Sequence, residues 1–226
     1  MSPRTADILE ASVRSFIELG EPISSGWLYD HFDFGIKPAM IRLELNDLTD
    51  HGFLEQPHYS AGRIPRNRAY EFFAERILGR QSQPHAIDRE LRATFCGHEW
   101  RGFTERFSRE LKLLGVTLSD DEVLKDGLDR LVGHLDWETR REIMGVIQDF
   151  EDIDDRLPET TTFDDDVRVF IGHKSPVTRS EHLAVVAGEY MVNGTRVKVL
   201  AVGPKRMDYE KVITMFRALQ AVAEQT

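Results

Sequence analysis

Cysteine is almost absent from this chain of 226 residues, which contains only Cys96. A single cysteine excludes an internal disulfide framework and a cysteine-based zinc site. Long apolar runs are absent too, since no stretch approaches the roughly 18 residues that a membrane-spanning helix needs. The N-terminal segment has acidic residues where a signal peptide has an apolar centre. These absences exclude an integral membrane protein and predict a cytoplasmic protein.

Positive charge is scarce as well. Lysine and arginine number 29 against 39 aspartates and glutamates, so the net charge is −10. That total disfavours non-specific attraction to nucleic acids and anionic membranes. The sum hides local clusters, because residues 60–80 contain five arginines and two glutamates, whereas residues 149–166 contain nine acidic residues and one arginine. We therefore predict a basic functional end and an acidic remainder, with residues 149–166 forming a solvated loop.

The first 80 residues contain signals for four helices and a short β-hairpin. Glycine and proline residues separate the segments, and apolar residues recur at helical spacing within them. The predicted helices are Ala6–Leu19, Ile23–Phe32, Pro38–His51 and Arg66–Leu78, and the predicted strands, around loop 57–61, are Phe53–Gln56 and Gly62–Pro65. Three helices, a short β-ribbon and a further helix are typical of a winged helix-turn-helix domain.

Residues 79–84 (GRQSQP) have the composition of a linker, and the pattern changes after them. Apolar spacing predicts helices around Phe103–Leu114, Leu124–Leu135 and Ile143–Phe150, whereas β-branched residues predict strands over Val167–Ile171, Leu183–Val192 and Arg196–Val202. Asn193-Gly194 indicates a hairpin between the last two strands, and Asp208 is expected to cap a final helix. The predicted fold class is α+β: a winged helix in residues 1–80, then, in residues 81–226, helices packed on a small three-stranded antiparallel sheet.

The third predicted helix carries the residues that favour DNA recognition. The side that faces the interior has three apolar residues: Ile41, Leu45 and Leu48. The opposite side has a small, a basic, an apolar and an amide residue: Ala39, Arg42, Leu43 and Asn46. Arginine can bind guanine and asparagine can bind adenine in the major groove, so this face suits DNA. An ordinary solvated helix is the other interpretation, and an exposed Leu43 fits neither comfortably.

The predicted hairpin carries arginines at the place where a wing meets phosphates. Arg63, Arg66 and Arg68 follow its loop, and Tyr59 lies within it. Arginine forms strong hydrogen bonds with phosphate, and such contacts position a protein on DNA without selecting sequence. Lys37, at the start of the third helix, is a further candidate phosphate contact. A hairpin with incidental arginines is the alternative interpretation.

Six strings of residues are distinctive: EPISS (21–25), PAMIR (38–42), GFLEQPH (52–58), SAGRIP (60–65), FIG (170–172) and GPKRMDY (203–209). Together they resemble the HrcA family of heat-shock repressors. The resemblance implies a dimeric winged-helix repressor with a GAF-like second domain. It also implies binding to an inverted-repeat operator upstream of chaperone genes, and assistance in folding from the GroE chaperonin.

The resemblance indicates where the DNA contacts lie, and Ser25 and Met40 within these strings complete the set. The expected DNA-binding residues are Ser25, Lys37, Ala39, Met40, Arg42, Leu43, Asn46, Tyr59, Arg63, Arg66 and Arg68. Three of them differ from the usual family residue, since Lys37, Met40 and Leu43 stand where Ser, Thr and Asn are common. The chain resembles a shortened member, without the dimerisation domain that typical members insert in the middle.

No residues form a recognisable catalytic or metal-binding pattern. The histidines at 51, 58, 173 and 182 lack the spacing of metal ligands, and no glycine-rich phosphate loop or nucleophile with a base is found. We therefore expect no enzyme activity, no metal and no cofactor. Two other functions stay open. One is a small-molecule sensor with a pocket over the GAF-like sheet; the other is a winged-helix protein-interaction module that no longer binds DNA.

Overall fold

The computed structural model describes residues 1–80, 87–133, 140–160, 163 and 167–226, with the backbone alone at residues 140 and 141. The described residues form two compact units, Met1–Arg76 (unit 1) and Ile77–Thr226 (unit 2). Residues 81–84 of the predicted linker and residues 134 and 135 of a predicted helix lie outside the described residues. A domain boundary at residue 80 stays a prediction. Among the described helices, none combines the length and apolar character that crossing a membrane requires.

Unit 1 begins with three helices: α1 (Pro3–Leu19), α2 (Ser25–His31) and α3 (Pro38–Asp50). The local sequence explains their ends. The side chains of Ser2 and Ser24 accept hydrogen bonds from the first turns of α1 and α2. Pro38 opens α3, and Gly20 ends α1 in the left-handed region at φ +74°. These predicted helices are confirmed, with small shifts of their ends.

A short β-pair and a fourth helix follow α3. Strand β1 (Leu54–Glu55) pairs antiparallel with β2 (Ile64–Pro65), and α4 extends over Asn67–Leu78. Helix α3 packs against α1 and α2. Apolar residues from the helices and from β1 are buried: Ile8, Leu9, Val13, Leu28, Ile41, Leu45, Leu48, Leu54 and Phe73.

Unit 2 contains a five-stranded antiparallel sheet with the strand order β4-β3-β7-β6-β5. In chain order its described elements are α5 (Arg89–Cys96), α6 (Trp100–Leu111), β3 (Leu114–Ser119), β4 (Glu122–Asp126), α7 (Leu128–Gly133), α8 (Arg140–Glu159), β5 (Arg168–Ile171), a 3-10 helix (Gly172–Lys174), β6 (Leu183–Val192), β7 (Thr195–Pro204) and α9 (Tyr209–Ala223). Helices therefore accompany an antiparallel sheet, as predicted.

Both faces of the sheet are covered, which explains why β6 and β7 are apolar with little alternation. On one face, Val146, Ile153 and Leu157 of α8 pack with residues of the strands. On the other face, α6 and α9 pack against β3 and β6. Five aromatic residues contact one another there: Phe95, Phe103, Phe107, Tyr190 and Phe216.

The sheet has five strands where the sequence predicts three. Leucine spacing predicts a helix through residues 124–135, which is wrong because Leu124 lies in β4 and α7 begins at Leu128. The predicted helix through Leu114 is also wrong at its end, since Leu114 starts β3. Asp120 and Asp121 make the tight turn between β3 and β4 at φ +48° and +63°. The predicted Asn-Gly turn between β6 and β7 is confirmed.

The acidic segment is not a solvated loop over its first part, because α8 continues to Glu159. Arg156 stabilises this helix by pairing with Asp149 at 2.8 Å and with Asp152. Asp149 is buried, and it accepts hydrogen bonds from the backbone N–H groups of Arg179 and Ser180, both at 2.7 Å. The remaining acidic residues, at 164–166, lie outside the described residues.

Candidate nucleic-acid interface

The N-terminal half of α3 carries most of the predicted contacts on one exposed surface. Ile41, Leu45 and Leu48 are buried, so the residues between them point outward. Those exposed residues are Lys37, Ala39, Met40, Arg42, Leu43 and Asn46. Leu43 is 59% exposed, which confirms the outward direction predicted for it from helical geometry, and Met40 is 46% exposed. We call this set the α3 surface.

Two cations give the α3 surface its positive charge. Neither the side chain of Lys37 nor that of Arg42 makes a hydrogen bond or ion pair with any residue that the structure describes. Residues 37–43 contain no acidic residue, whereas Glu44, Asp47 and Asp50 follow in the later turns. The N-terminus of a helix also carries partial positive charge. This end of α3 therefore attracts anions, although the chain as a whole is acidic.

Arg63 binds α3 instead of extending into solvent. Its Nε donates to Thr49 Oγ1 at 3.0 Å, and a terminal nitrogen donates to Asn46 Oδ1 at 2.6 Å. Burial lowers the pKa of Arg63 below its ordinary value, and the positive charge of Arg42 lowers it further. An arginine nevertheless stays protonated at neutral pH. The sequence predicts a phosphate contact at Arg63, and the geometry engages its guanidinium within unit 1 instead.

The backbone of Arg63 joins the hairpin to the segment before α2. Ile23 N–H donates to the carbonyl of Arg63 at 2.9 Å, and Arg63 N–H donates back at 2.8 Å. This close approach needs glycine at position 62, because a Cβ there would lie 2.6 Å from backbone atoms of both Pro22 and Ile23. Gly62 thus allows the backbone of Arg63 to pair with Ile23, and the side chain of Arg63 reaches from there to α3.

Loop 57–61 is ordered by one side chain. Gln56 Nε2 donates to the carbonyl of Tyr59 at 2.8 Å and to that of Ala61 at 3.0 Å. A further bond joins Ala61 N–H to the carbonyl of His58 at 2.8 Å. Tyr59 is fully exposed in this arrangement, so its ring is available to a partner, and the predicted phosphate contact stays a prediction.

Arg66 and Arg68 are exposed but have partners within unit 1. Arg66 Nε lies 2.8 Å from Glu55 Oε2. Arg68 donates to the carbonyl of His51 at 2.9 Å, and its guanidinium lies 4.4 Å from the centre of the Phe53 ring. Exposed ion pairs contribute little to stability, so Arg66 can exchange Glu55 for a phosphate at small cost. Both residues stay candidate phosphate contacts.

Ser25 is the predicted site residue that the structure removes from the surface. It is the first residue of α2 and only 8% exposed. The neighbouring Ser24 is exposed, and its hydroxyl accepts the N–H of Trp27 at 3.1 Å as the helix cap. Ser25 is therefore not part of the α3 surface, and a DNA contact at Ser25 stays a prediction.

Three residues that shape this surface were not predicted: Thr49, Gln56 and Gly62. Gly62 had a sequence signal, since a glycine beside a strand indicates close approach of another backbone. Thr49 and Gln56 had none, because their partners are set by how the hairpin folds onto α3. The sequence places Thr49 one turn after Asn46, yet only the fold brings Arg63 to both.

In the described part of unit 2, two features bear on a further site: groups that could bind a metal and open space over the sheet. Within the ranges that the structure describes, no group of three or more His, Cys, Asp or Glu is placed to hold a metal ion. The sheet face under α8, where a sensor would need a pocket, is filled by apolar side chains. Two lysines of this sheet already have hydrogen-bond partners. Lys125 Nζ donates to the carbonyl of Phe150 at 2.7 Å, and Lys198 Nζ donates to that of Thr160 at 2.9 Å.

The sequence profile described as "HrcA protein C terminal domain" matches residues 64–213, more than half of the chain. The chain belongs to the HrcA family. One HrcA relative is the "Heat-inducible transcription repressor HrcA" of Natranaerobius thermophilus, 46% identical over 77 residues. That match covers 34% of this chain and 22% of the relative, so it spans about a fifth of the relative's length.

A second HrcA relative matches over nearly the whole of both chains. The repressor of the same name from Lachnoclostridium phytofermentans is 21% identical over 329 aligned positions, which cover 97% of this chain and 95% of that protein. Among solved structures, one described as "Crystal structure of a hypothetical protein" has a TM-score of 0.75 at 16% identity. It covers 100% of this HrcA chain and 97% of its own, and at this identity it shows the fold alone.

Proposed function

We propose that this chain is a DNA-binding repressor of heat-shock genes, and that residues 1–80 are a winged helix-turn-helix domain. The observation that carries the proposal is the α3 surface, on which Arg42, Leu43 and Asn46 project beside Lys37. Family membership and relatives that bear the name heat-inducible transcription repressor support the regulatory role. The proposal therefore joins a local geometry to a family relationship.

In this proposal α2 and α3 form the helix-turn-helix, and β1, β2 and loop 57–61 form the wing. Helix α3 enters the major groove with its N-terminal turns, as recognition helices do. The residues of α3 that face the base edges are Ala39, Met40, Arg42, Leu43 and Asn46. Phosphates are contacted by the flanking cations and by the tip of the wing: Lys37, Arg66, Arg68 and Tyr59.

Residues 81–226 form, in this proposal, a GAF-like domain that supplies dimerisation. A dimer presents two copies of α3 to the two halves of an inverted repeat. Bound at the promoter of a chaperone gene, it blocks access sterically. Heat, or loss of assistance from the GroE chaperonin, depletes the folded form and releases the gene. Such a repressor acts in the cytoplasm.

Selection of bound DNA from a pool of random-sequence duplexes tests binding, half-site sequence and symmetry together. With the full chain, we expect enrichment of two half-sites in inverted orientation, about 10 base pairs or a multiple of that apart. An Arg42→Ala variant should enrich the same pool less sharply, because it lacks the guanidinium that binds guanine. Enrichment of no sequence would contradict the proposal, and a single asymmetric site would contradict the dimer.

A protein-interaction module is the second candidate function, and two observations favour it. Residues 1–76 contain 8 lysines and arginines against 12 aspartates and glutamates, and Met40 and Leu43 expose apolar surface on α3. Salt distinguishes the two functions. Binding to DNA releases condensed counterions and therefore weakens steeply as the salt concentration rises, whereas an apolar protein contact does not. Salt-insensitive association with the duplex pool would favour the second function.

A further inference from the structure

Arg63 is fixed at both its backbone and its guanidinium. The backbone exchanges two hydrogen bonds with Ile23, at 2.9 and 2.8 Å. The guanidinium donates to Asn46 Oδ1 at 2.6 Å and to Thr49 Oγ1 at 3.0 Å. Asn46 and Thr49 are one turn apart on α3, so a single planar group spans both. Thr49 is itself held, because its hydroxyl donates to the carbonyl of Leu45 at 2.8 Å.

This arrangement sets what Asn46 offers to a partner. Its acceptor, Oδ1, is taken by Arg63, while its Nδ2 makes no hydrogen bond to any described residue and the side chain is exposed. An asparagine that binds adenine with two bonds needs its oxygen and its nitrogen on the same base edge. The bond from Arg63 uses one lone pair of the oxygen and fixes the orientation of the amide, so the unbonded N–H donors are the groups that we expect Asn46 to present to a base. Guanine suits such donors, since its major-groove edge has two acceptors, N7 and O6.

We propose that Arg63 is a positioning residue, which holds Asn46 so that its amide N–H groups select guanine over adenine at one position of each half-site. The proposal rests on the proposed function, because it assigns a specificity to the same α3 surface. Arg63 acts through Asn46 and makes no phosphate contact of its own. Arg42, which has no partner among the described residues, differs in this respect and binds DNA directly.

The substitution Arg63→Lys separates positioning from phosphate contact. Lysine keeps the positive charge, so any phosphate contact, and with it the sequence-independent part of the affinity, would survive the substitution. Lysine lacks the planar fork, so it cannot span Asn46 and Thr49 together. The positioning role therefore predicts loss of the guanine preference at one position, on the order of tenfold, with an unchanged dependence of binding on salt. Arg66→Lys is the matched control, and it should keep the preference.

The experiment uses the full chain and the duplex enriched from the random pool, with guanine or adenine at each position of the half-site. Dissociation constants are measured by fluorescence anisotropy for wild type, Arg63→Lys, Asn46→Ala and the double variant. If Arg63 acts through Asn46, each single variant loses the same preference, and the double variant loses no more than Asn46→Ala alone. Additive losses, or a retained preference in Arg63→Lys, would overturn the proposal.

A further variant keeps the test independent of folding. In Asn46→Asp the oxygen that accepts from Arg63 remains, so the chain should melt at or above the wild-type temperature. The amide donors are lost, so the preference at that position should move from guanine to cytosine, whose N4 donates. Retained guanine preference in Asn46→Asp would overturn the proposal. If the wild-type chain enriches no duplex, the proposed function itself is contradicted. If the chain binds DNA but the base preferences of the variants differ from those expected, the positioning role alone is contradicted.

Discussion

Replacement of Gly62 by alanine probes the contact that holds the hairpin of unit 1 in place. The new Cβ would lie 2.6 Å from the carbonyl carbon and oxygen of Ile23 and from the carbonyl carbon of Pro22. Carbon atoms in van der Waals contact are about 3.5–4.0 Å apart, so the backbone must separate by about 1 Å. Gly62 is not among the glycines with positive φ, so the cost is steric and involves no forbidden backbone conformation.

The expected loss of stability follows from what that separation breaks. Overpacking costs about 1–3 kcal/mol, and the two hydrogen bonds between Ile23 and Arg63 contribute about 0.5–1.5 kcal/mol each. We therefore expect Gly62→Ala to lower the free energy of unfolding of unit 1 by roughly 2–6 kcal/mol. For the 76 residues of unit 1, a total stability of roughly 4–11 kcal/mol is typical, so the loss is a large fraction.

Native-state hydrogen exchange, followed by mass spectrometry, measures this loss unit by unit. Peptides of unit 1 should lose protection in Gly62→Ala, while peptides of unit 2 serve as the internal reference. Gly26→Ala is the matched control, because a Cβ there meets only Ser24 Oγ at 3.8 Å. That control should be neutral or slightly stabilising, since alanine favours a helix over glycine. A Gly62→Ala variant within about 0.5 kcal/mol of wild type would refute the close packing.

Leu43→Asn should leave the free energy of unfolding within about 0.5 kcal/mol of wild type, because Leu43 is exposed. It should also shift the base preference at one position towards adenine by roughly 1–3 kcal/mol. Unfolding of the variant would contradict the exposed placement of Leu43. Tyr190→Phe should cost about 1 kcal/mol in urea unfolding, because the phenol donates to the carbonyl of Phe216 at 3.1 Å. Burial raises the pKa of Tyr190 above its ordinary value, so wild-type stability should fall as pH rises above about 10, and more steeply than in Tyr190→Phe. Sedimentation of the full chain at micromolar concentration should report a dimer, and a monomer would contradict the proposed dimerisation.

The sequence was most informative where structure is local. Helix α3 follows from Pro38 at its start and from apolar residues three and four positions apart, and that spacing also puts Leu43 outside. The hairpin at Asn193-Gly194 follows from residues that tolerate positive φ. In both cases one segment contains all the information that its conformation needs.

The sequence was less informative where two distant segments decide the outcome. Leu111 and Leu114 are three positions apart and Leu124 and Leu128 are four apart, so both pairs match a helical spacing by coincidence, although Leu114 and Leu124 lie in strands. The acidic run at the end of α8 stays helical because Arg156 pairs with two of its carboxylates. Periodicity and charge along the sequence do not reveal such tertiary contacts.

The candidate site shows the same division. The exposed face of α3 is a property of one helix, and it was predicted. The role of Arg63 depends on a hairpin that folds back to residues 14 and 17 positions away, so its charge alone suggested a phosphate contact. The burial of Ser25 could not be predicted from the sequence, because a serine that follows a cap residue can face either solvent or the interior.

The dependence of DNA binding on salt tests the central claim, that the α3 surface binds DNA, most directly. Dissociation constants for the enriched duplex would be measured over a series of salt concentrations for wild type and Lys37→Gln. Lys37 is exposed, has no partner among the described residues and is not a helix-capping side chain, so its replacement should leave folding intact. We expect the slope of log affinity against log salt to fall by about one per protomer in Lys37→Gln. An unchanged slope, or a wild-type chain whose binding ignores salt, would contradict the claim.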